Sequence, residues 1–492
     1  MIGDLTVSAA TSLRDALDRI ERAGMGVAFV VDDDAKLRGV VTDGDVRRGL
    51  LTGVSLDGAV SAVMTRDCVS LPVWSDAATI FARLSDAVRA IPLVDEAGRL
   101  VDYASQRRHH HIPVAEPSLT GREFEYVSEC FRTNWISSQG PFVTRFEQDF
   151  AAYVGAAPAQ TLTTANGTVA LHLALTALGI GPGDEVIVPT LTFAASAAAV
   201  IHAGAAPVLA DVEPDSWCLD PDAVEALITP RTKALMPVHL YGQPAAMDRL
   251  LDIAARHGLK VVEDAAEALG AFHRDRHVGV LGDAGAFSFF GNKLITTGEG
   301  GMVLFKDPAV AARARRLRDH GMDPERRYWH LDVGFNYRLT NLQAAVGVAQ
   351  MERIEELAAR KLWIAARYRE AFADIPGLIL PAETPHARNI YWTFSLLLDE
   401  ARLGMSRDAF AARLKLAGVE TRPLFFPLHV MPAYAQFGGG RAFPVAERLS
   451  ASGLSLPSAV SLQEREIAYI AEVVGRLRQP QPDGVGQGGE TP

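Results

Sequence analysis

The sequence contains few cysteines: only Cys68, Cys130 and Cys218 occur among its 492 residues. They are far apart, their number is odd, and no two of them have the short spacing of metal ligands. This argues against a disulfide framework and against a cysteine-based metal site, because both need paired or clustered thiols. We interpret the three residues as buried thiols of a protein in the reducing cytoplasm.

Long hydrophobic runs and an excess of basic residues are also absent. The apolar stretch over residues 193–210 is broken by His202, Gly204 and Pro207, so it does not predict a membrane span. The N-terminus lacks the basic, apolar and small-residue order of a signal peptide. With 48 Lys and Arg against 59 Asp and Glu, the net charge of −11 argues against nucleic acid or a membrane as a partner.

The length predicts at least two domains, and the first of them contains an internal repeat. Residues 26–38 and 90–100 each combine a strand, a polar turn and a second strand. An amphipathic stretch with a serine N-cap precedes each copy, over residues 12–22 and 75–87. This order resembles a tandem pair of CBS domains, which we place at residues 1–108.

The resemblance to CBS domains is clearest at residues 39–45 and 63–65. It implies that Thr42 and Asp45 face the ribose of an adenine or guanine nucleotide. The second copy departs from the pattern, since Ser-Gln-Arg-Arg at residues 105–108 stands where Thr-Asp-Gly-Asp stands in the first. At most one nucleotide site of the ordinary kind is therefore expected, and a purely structural or dimerising module is an equal alternative.

Two segments are predicted to lie outside the packed domains. Residues 109–117 combine adjacent histidines with Pro113 and Pro117, which is typical of a linker. Three adjacent histidines do not share one helix face, so we expect no metal site there. The tail at residues 479–492 has one large apolar residue and is predicted to be disordered.

Helical stretches alternate with short apolar runs from about residue 116 to residue 478. The runs at residues 185–188, 234–236 and 260–263 predict strands of a parallel α/β sheet. We expect a large domain over residues 118–370 and a smaller C-terminal α/β domain over residues 371–478.

Three short motifs in this region can carry chemistry. Asn166-Gly-Thr opens a helix whose free N–H groups could bind an anion, although most such turns only cap helices. Asp264 closes a strand, where parallel sheets place functional groups; alternatively it caps a helix over residues 265–269. Lys293 ends an aromatic run, where burial would free its amine for attack on an aldehyde; alternatively it is a surface lysine.

These motifs, in this order, resemble the DegT/DnrJ/EryC1/StrS sugar aminotransferases. The matching residues are 166–168, 263–267, 288–293 and 298–301. The resemblance implies a pyridoxal 5′-phosphate (PLP) transferase of fold type I, similar to aspartate aminotransferase, with a mostly parallel central sheet.

The resemblance also assigns residue roles. Lys293 would carry the cofactor as a Schiff base and move the proton during transfer. Asp264 would bind the pyridine nitrogen, Phe193 would stack on the ring, and Glu267 would lie beside the cofactor hydroxyl. The phosphate would be held by Gly167, Thr168 and Ser288, with Asn336 contributed by the neighbouring subunit of a homodimer with shared active sites.

Substrate contacts follow from the same resemblance. The residues implied are Ser137, Ser138, Tyr328, Arg422 and His429. The reaction would transfer an amino group from L-glutamate, through pyridoxamine phosphate, to the C4 ketone of a nucleotide-linked 4-keto-6-deoxy sugar. The carboxylate at position 267 favours GDP-4-keto-6-deoxymannose.

Three other functions remain open. A dTDP- or UDP-linked keto sugar is an alternative acceptor, because contacts to the base are not legible in one sequence. Dehydration, which some relatives perform with histidine in place of the lysine, is disfavoured by Lys293. The third alternative is a nucleotide-sensing CBS protein whose transferase domain is inactive.

Overall fold

The computed structural model describes residues 5–23, 26–75, 79–80, 83–85, 88–105 and 112–477. Their contacts group into two units, one of residues 1–112 with 412–420 and one of residues 113–411 with 421–492. The predicted disordered tail, His109, His110 and His111 lie outside the described residues.

The first unit contains two three-stranded sheets of the same topology. The elements of the first copy are β1 Thr6–Ser8, α1 Leu13–Ala23, β2 Val27–Val31, β3 Leu37–Thr42 and α2 Asp43–Leu51. Those of the second are β4 Leu71–Pro72, β5 Ala90–Val94 and β6 Leu100–Ser105. In both sheets the first pair of strands is parallel and the second antiparallel, which confirms the repeat.

The predicted helix over residues 12–22 is confirmed by α1, whereas most of the second amphipathic stretch lies outside the described residues. Helix α2 begins at a capping box in which Thr42 and Asp45 satisfy each other's backbone N–H groups. Asp45 also pairs with Arg48, 2.6 Å away. The two residues predicted to face a ribose are thus also the two members of the capping box of α2, Thr42 as the N-cap and Asp45 at position N3.

A seven-stranded sheet forms the centre of the second unit, in the order β7-β15-β14-β11-β10-β8-β9. All neighbours are parallel except β15, which is antiparallel to both β7 and β14. The strands are β7 Thr161–Thr164, β8 Glu185–Pro189, β9 Ala206–Ala210, β10 Thr232–Leu235, β11 Lys260–Asp264, β14 Ala284–Ser288 and β15 Gly301–Phe305. The predicted parallel α/β sheet is confirmed.

Helices cover this sheet, and their apolar residues form one core with it. They are α3 Glu123–Thr133, α4 Pro141–Val154, α5 Gly167–Ala177, α6 Ala195–His202, α7 Pro221–Leu227, α8 Met247–His257, α9 Pro308–Arg318 and α10 Asn341–Met351. Leu171, Leu173 and Leu175 of α5 are at most 2% exposed. Burial of such side chains stabilises the fold by about 1.5–3 kcal/mol each.

The C-terminal part carries a four-stranded antiparallel sheet in the order β16-β18-β20-β19. Its strands are β16 Leu378–Ile379, β18 Phe394–Leu398, β19 Arg422–Pro423 and β20 Gly453–Leu456. The helices are α11 Ile354–Phe372, α12 Glu400–Leu403, α13 Arg407–Leu416, α14 Pro444–Ser452 and α15 Glu464–Arg476. A third small sheet joins β12 Phe272–His273, β13 Arg276–His277 and β17 Ala387–Arg388.

Two expectations need correction. Residues 265–269 form turns, so Asp264 does not cap a helix. Cys130 and Cys218 are buried free thiols, but Cys68 is only half-buried.

Among the described residues, no helix has the length and apolar character needed to cross a membrane, and no cluster of metal-ligating side chains occurs.

Candidate active site

The candidate site lies at the carboxyl ends of the central parallel strands, where such sheets place functional groups. Strand β11 ends at Asp264, β14 ends at Ser288, and Lys293 follows five residues later. The backbone holds Asp264 firmly, since its N–H donates to the Pro237 carbonyl over 2.9 Å and its carbonyl accepts from the His239 N–H over 3.0 Å.

Lys293 points into the interior, and its side chain is 13% exposed. Its Nζ lies 3.6 Å from Glu267 Oε1 and 3.8 Å from the centre of the Trp392 ring. Burial lowers the pKa of Lys293, although Glu267 and Asp264 oppose that shift. A lysine with a lowered pKa presents a free amine that can attack an aldehyde. The alternative of a surface lysine is therefore wrong.

Asp264 is 6% exposed, and its carboxylate has defined partners. Ser196 donates its hydroxyl to Asp264 Oδ2 over 2.7 Å, and the Ala266 N–H donates to Oδ1 over 3.2 Å. Burial raises the pKa of Asp264, and the bond from Ser196 opposes this. A carboxylate held in this way fits a cationic ring nitrogen, whose charge would compensate its burial.

Glu267 completes a group of three ionisable side chains. It is 8% exposed, and its Oε2 accepts the Tyr241 N–H over 2.8 Å. Burial raises its pKa from 4.5 to about 7, while Lys293 acts in the opposite direction. Two carboxyl groups and one amine thus share one buried region.

Glu267→Gln should change how the stability of the cofactor-free chain depends on pH. Folded Glu267 keeps its proton up to about pH 7, whereas the unfolded chain releases it near pH 4.5. The folded state therefore binds more protons in this window, and its stability falls as pH rises through it. The difference in the free energy of unfolding between the variant and the parent should therefore shift by about 1–3 kcal/mol in favour of the variant between pH 5 and pH 8.

Urea unfolding at both pH values measures this effect. Glu355→Gln, at an exposed position of α11, is the matched control and should leave the pH dependence unchanged. If Glu267→Gln had the same pH dependence of stability as the parent, the raised pKa of Glu267 would be contradicted.

The start of helix α5 lies beside the end of β14. Asn166 caps the helix by accepting the Val169 N–H over 3.0 Å, so the N–H groups of Gly167 and Thr168 remain available to an anion. A Cβ at Gly167 would lie 2.9 Å from Ser288 Cβ. The three residues predicted to hold a phosphate are therefore brought together, and only glycine allows this close approach.

Phe193 follows β8 and is 60% exposed, with its ring 5.7 Å from that of Phe425. A flat, accessible ring of this kind can stack on a heterocycle. A buried amine, a buried carboxylate, a helix start and an accessible ring are together the donor set that PLP requires, so the residues present fit this cofactor.

The sequence model of the DegT/DnrJ/EryC1/StrS aminotransferase family matches residues 117–475. The chain belongs to this family. It is thus a PLP-dependent nucleotide-sugar aminotransferase, and its N-terminal residues 1–52 match the CBS domain model.

Individual relatives agree with the family assignment. GDP-perosamine synthase of Caulobacter vibrioides is 50% identical over 367 residues, covering 74% of this chain and 98% of that protein. GDP-perosamine synthase of Escherichia coli O157:H7 is 43% identical over 368 residues, or 75% and 98%. The crystal structure of S. venezuelae DesV with a ketimine intermediate matches with a TM-score of 0.68 and 37% identity, over 73% of this chain and 95% of that chain.

The residues predicted to contact the substrate all belong to the second unit. Ser137 is exposed and Ser138 half-buried, in the loop between α3 and α4, while Tyr328 is 73% exposed. Arg422 is exposed on β19. Both ring nitrogens of His429 already have partners, at 2.8 Å from Thr190 and 3.2 Å from Glu447. The roles of these residues stay predictions.

Asn336 is also exposed, and its amide oxygen accepts a hydrogen bond from Arg338 over 3.3 Å. Its role in the site of a neighbouring subunit stays a prediction.

Sequence reasoning missed several residues that organise the site. Ser196 supports Asp264, Tyr241 supports Glu267, and the Trp392 ring faces Lys293. Asn341 fixes the loop of Ser137 by donating to the Trp135 carbonyl over 2.8 Å. Only Ser196 had a signal in the sequence, because a single polar residue at the otherwise apolar start of helix α6 suggests a buried hydrogen bond.

Glu263, next to Asp264, is completely buried. Its carboxylate accepts four hydrogen bonds, from His239 Nε2 and from the N–H groups of Gly279, Leu281 and Gly282. Burial acts to raise the pKa of Glu263, but His239 and these N–H groups bring it below its ordinary value.

Glu263→Ala should destabilise the protein by about 3–5 kcal/mol, since four buried donors lose their acceptor. Urea denaturation at pH 7 measures the loss. Glu355→Ala at the exposed control position should stay within about 0.5 kcal/mol of the parent. A loss below 1 kcal/mol in Glu263→Ala would show that these contacts contribute little.

Proposed function

We propose that this protein transfers an amino group from L-glutamate to the C4 ketone of GDP-4-keto-6-deoxymannose and so forms GDP-perosamine. The observation that carries the substrate is the identity of 50% and 43% with two proteins named GDP-perosamine synthase, each covered over 98% of its length. The carboxylate at position 267, which by resemblance marks the subgroup of GDP-perosamine synthases, supports the same assignment.

Each residue of the site has a proposed task. Bound PLP would supply an electron sink for the negative charge left when a proton is removed. Asp264 would keep the ring nitrogen protonated, and Ser196 holds Asp264 in place. Gly167, Thr168 and Ser288 would anchor the phosphate, and Phe193 would cover the ring.

Lys293 would act as general base and then as general acid. Burial lowers its pKa, which favours the free amine that accepts the proton. Glu267, 3.6 Å away, would stabilise the ammonium form after the proton is accepted. Burial of the three groups excludes water that would compete for the proton.

An assay with L-glutamate and a panel of GDP-, dTDP- and UDP-linked 4-keto-6-deoxy sugars tests the substrate. GDP-4-keto-6-deoxymannose should have the highest kcat/KM, by at least about tenfold, because recognition of the base adds polar contacts. Higher activity with a dTDP- or UDP-linked sugar would replace the proposed acceptor. Absence of turnover and of visible cofactor absorbance, with PLP added, would favour the nucleotide-sensing alternative.

We further propose a homodimer in which Asn336 completes the partner's site. Mixed Lys293→Ala and Asn336→Ala subunits should regain up to roughly a quarter of the parental activity after refolding together, because half of the dimers are mixed and contain one intact site. Each variant refolded alone is the control. Mixing without any gain would contradict shared sites.

For the first unit we propose a nucleotide ligand. A cavity of about 480 Å³ is lined by Gly26, Thr42, Asp45, Thr65 and Arg89, among others. Calorimetric titration with AMP, ATP and GTP tests this proposal, and absence of binding would mean that the first unit is a structural module.

The free thiols fit the reducing cytoplasm, which we propose as the location of the protein.

A further inference from the structure

Trp392 contacts Lys293, the proposed catalytic lysine, and is held in place by three hydrogen bonds. Its own N–H donates to the Tyr241 carbonyl over 3.1 Å, and its indole Nε1–H donates to the Asn292 carbonyl over 2.8 Å. Lys361 Nζ donates to the Trp392 carbonyl over 2.8 Å. Asn292 is the residue before Lys293, so the indole is attached to the segment that carries the lysine.

The indole is also fixed in orientation. Its ring stacks on that of Tyr241 at an interplanar angle of 8° and a centroid distance of 6.1 Å. Trp392 is 8% exposed, so the ring has little room to turn. One face is therefore held in a defined position under Lys293 Nζ, 3.8 Å away.

Lys361 anchors the backbone at Trp392 to helix α11. This lysine of α11 is 4% exposed and donates to the carbonyls of both Trp392 and Ser458. Burial lowers its pKa to about 7. It ties helix α11 to the chain just before β18 and just after β20.

We propose that Trp392 is a positioning residue for Lys293: its indole face holds the free ε-amine between Glu267 and the reacting atoms. The lysine side chain has four flexible carbons, and its amine must remain in place whenever it is not covalently attached. An electron-rich ring face attracts the ammonium form in addition to confining it. This inference depends on the proposed function through Lys293 alone.

The inference predicts a change in the ionisation of Lys293 when the ring loses electron density. We would introduce, at position 392 alone, a tryptophan whose ring hydrogens are replaced by fluorine, which preserves shape and the Nε1–H donor. The ammonium form then loses stabilisation, so the amine deprotonates at lower pH. Other charged or titratable groups around this region remain in place: Glu267, Asp264, Lys361, Glu116 and Tyr241.

The readout is the pH midpoint for capture of added PLP by the cofactor-free full chain. Borohydride reduction and peptide mass analysis locate the modified lysine. The midpoint should fall by about 0.4–1 pH unit with fluorinated Trp392. The same substitution at Trp363, whose ring lies 3.9 Å from Arg360, is the matched control and should not move it.

A second variant tests position separately from charge. Trp392→Leu should lower the single-turnover rate constant with L-glutamate about 10- to 100-fold, because the amine loses its defined geometry. The glutamate concentration that gives half of the maximal rate should change little. Trp363→Leu should leave both parameters unchanged.

The outcomes distinguish the two proposals. If the parental chain does not capture PLP at Lys293, the proposed function fails. If it does, but fluorination at 392 leaves the midpoint unchanged, or fluorination at 363 moves it equally, the role of Trp392 is overturned. If Trp392→Leu does not fold, the fluorinated protein alone decides.

Discussion

Lys293→Ala should reduce turnover about 10³- to 10⁴-fold and abolish covalent attachment of PLP. Two functions end together, because the same amine would bind the cofactor and move the proton. Burial and the contacts with Glu267 and Trp392 prepare this amine for both. Turnover with the keto sugar and visible absorbance after addition of PLP measure the two losses.

Lys260→Ala is the control for this variant. Lys260 lies at the amino end of β11, where it pairs with Asp283 over 3.0 Å, at the opposite end of the strand from Asp264. It should keep parental turnover. Turnover within about tenfold of the parent in Lys293→Ala would exclude the lysine as the general base.

Asp264→Asn should lower kcat about 10²- to 10³-fold while leaving the fold intact. Asparagine occupies the same space and can still accept from Ser196, but it has no charge with which to hold a proton on a ring nitrogen. The cofactor would then stabilise negative charge poorly. The measurement is the single-turnover rate constant with L-glutamate, together with a urea unfolding curve.

Asp283→Asn is the matched control for Asp264→Asn. Asp283 also accepts a backbone N–H of β11, that of Val261 over 2.9 Å, but at the amino end of the strand. Its variant should show parental kcat. Equal losses of kcat in both variants would mean that Asp264 acts through stability and not through the cofactor.

The contrast between Asp264 and Glu263 shows how neighbouring acidic residues acquire different tasks. Successive side chains of a strand point to opposite faces of the sheet. Glu263 therefore meets His239 and three backbone N–H groups, whereas Asp264 meets Ser196 and faces Lys293. The sequence Glu263-Asp264 alone does not distinguish a structural carboxylate from one that is available to a ligand.

The fold class predicted from the sequence, with a mostly parallel central sheet, is confirmed. The strands at residues 185–188 and 260–263 were located from apolar runs, because a parallel sheet buried on both faces needs continuous apolar sequence. The helix proposed over residues 265–269 was wrong. Local composition favours a helix there, but the chain must turn sharply to bring Glu267 to the Tyr241 N–H.

By itself, the sequence determined the family, the parallel sheet and the position of Lys293 after an aromatic strand, because these depend on local pattern and motif order. Only the tertiary structure decided which groups surround that amine. Ser196, Tyr241 and Trp392 come from segments separated from Lys293 by 52 to 99 residues and meet through packing. Burial, which lowers the pKa of Lys293 and raises that of Glu267, is likewise a property of the folded chain and not of any local segment.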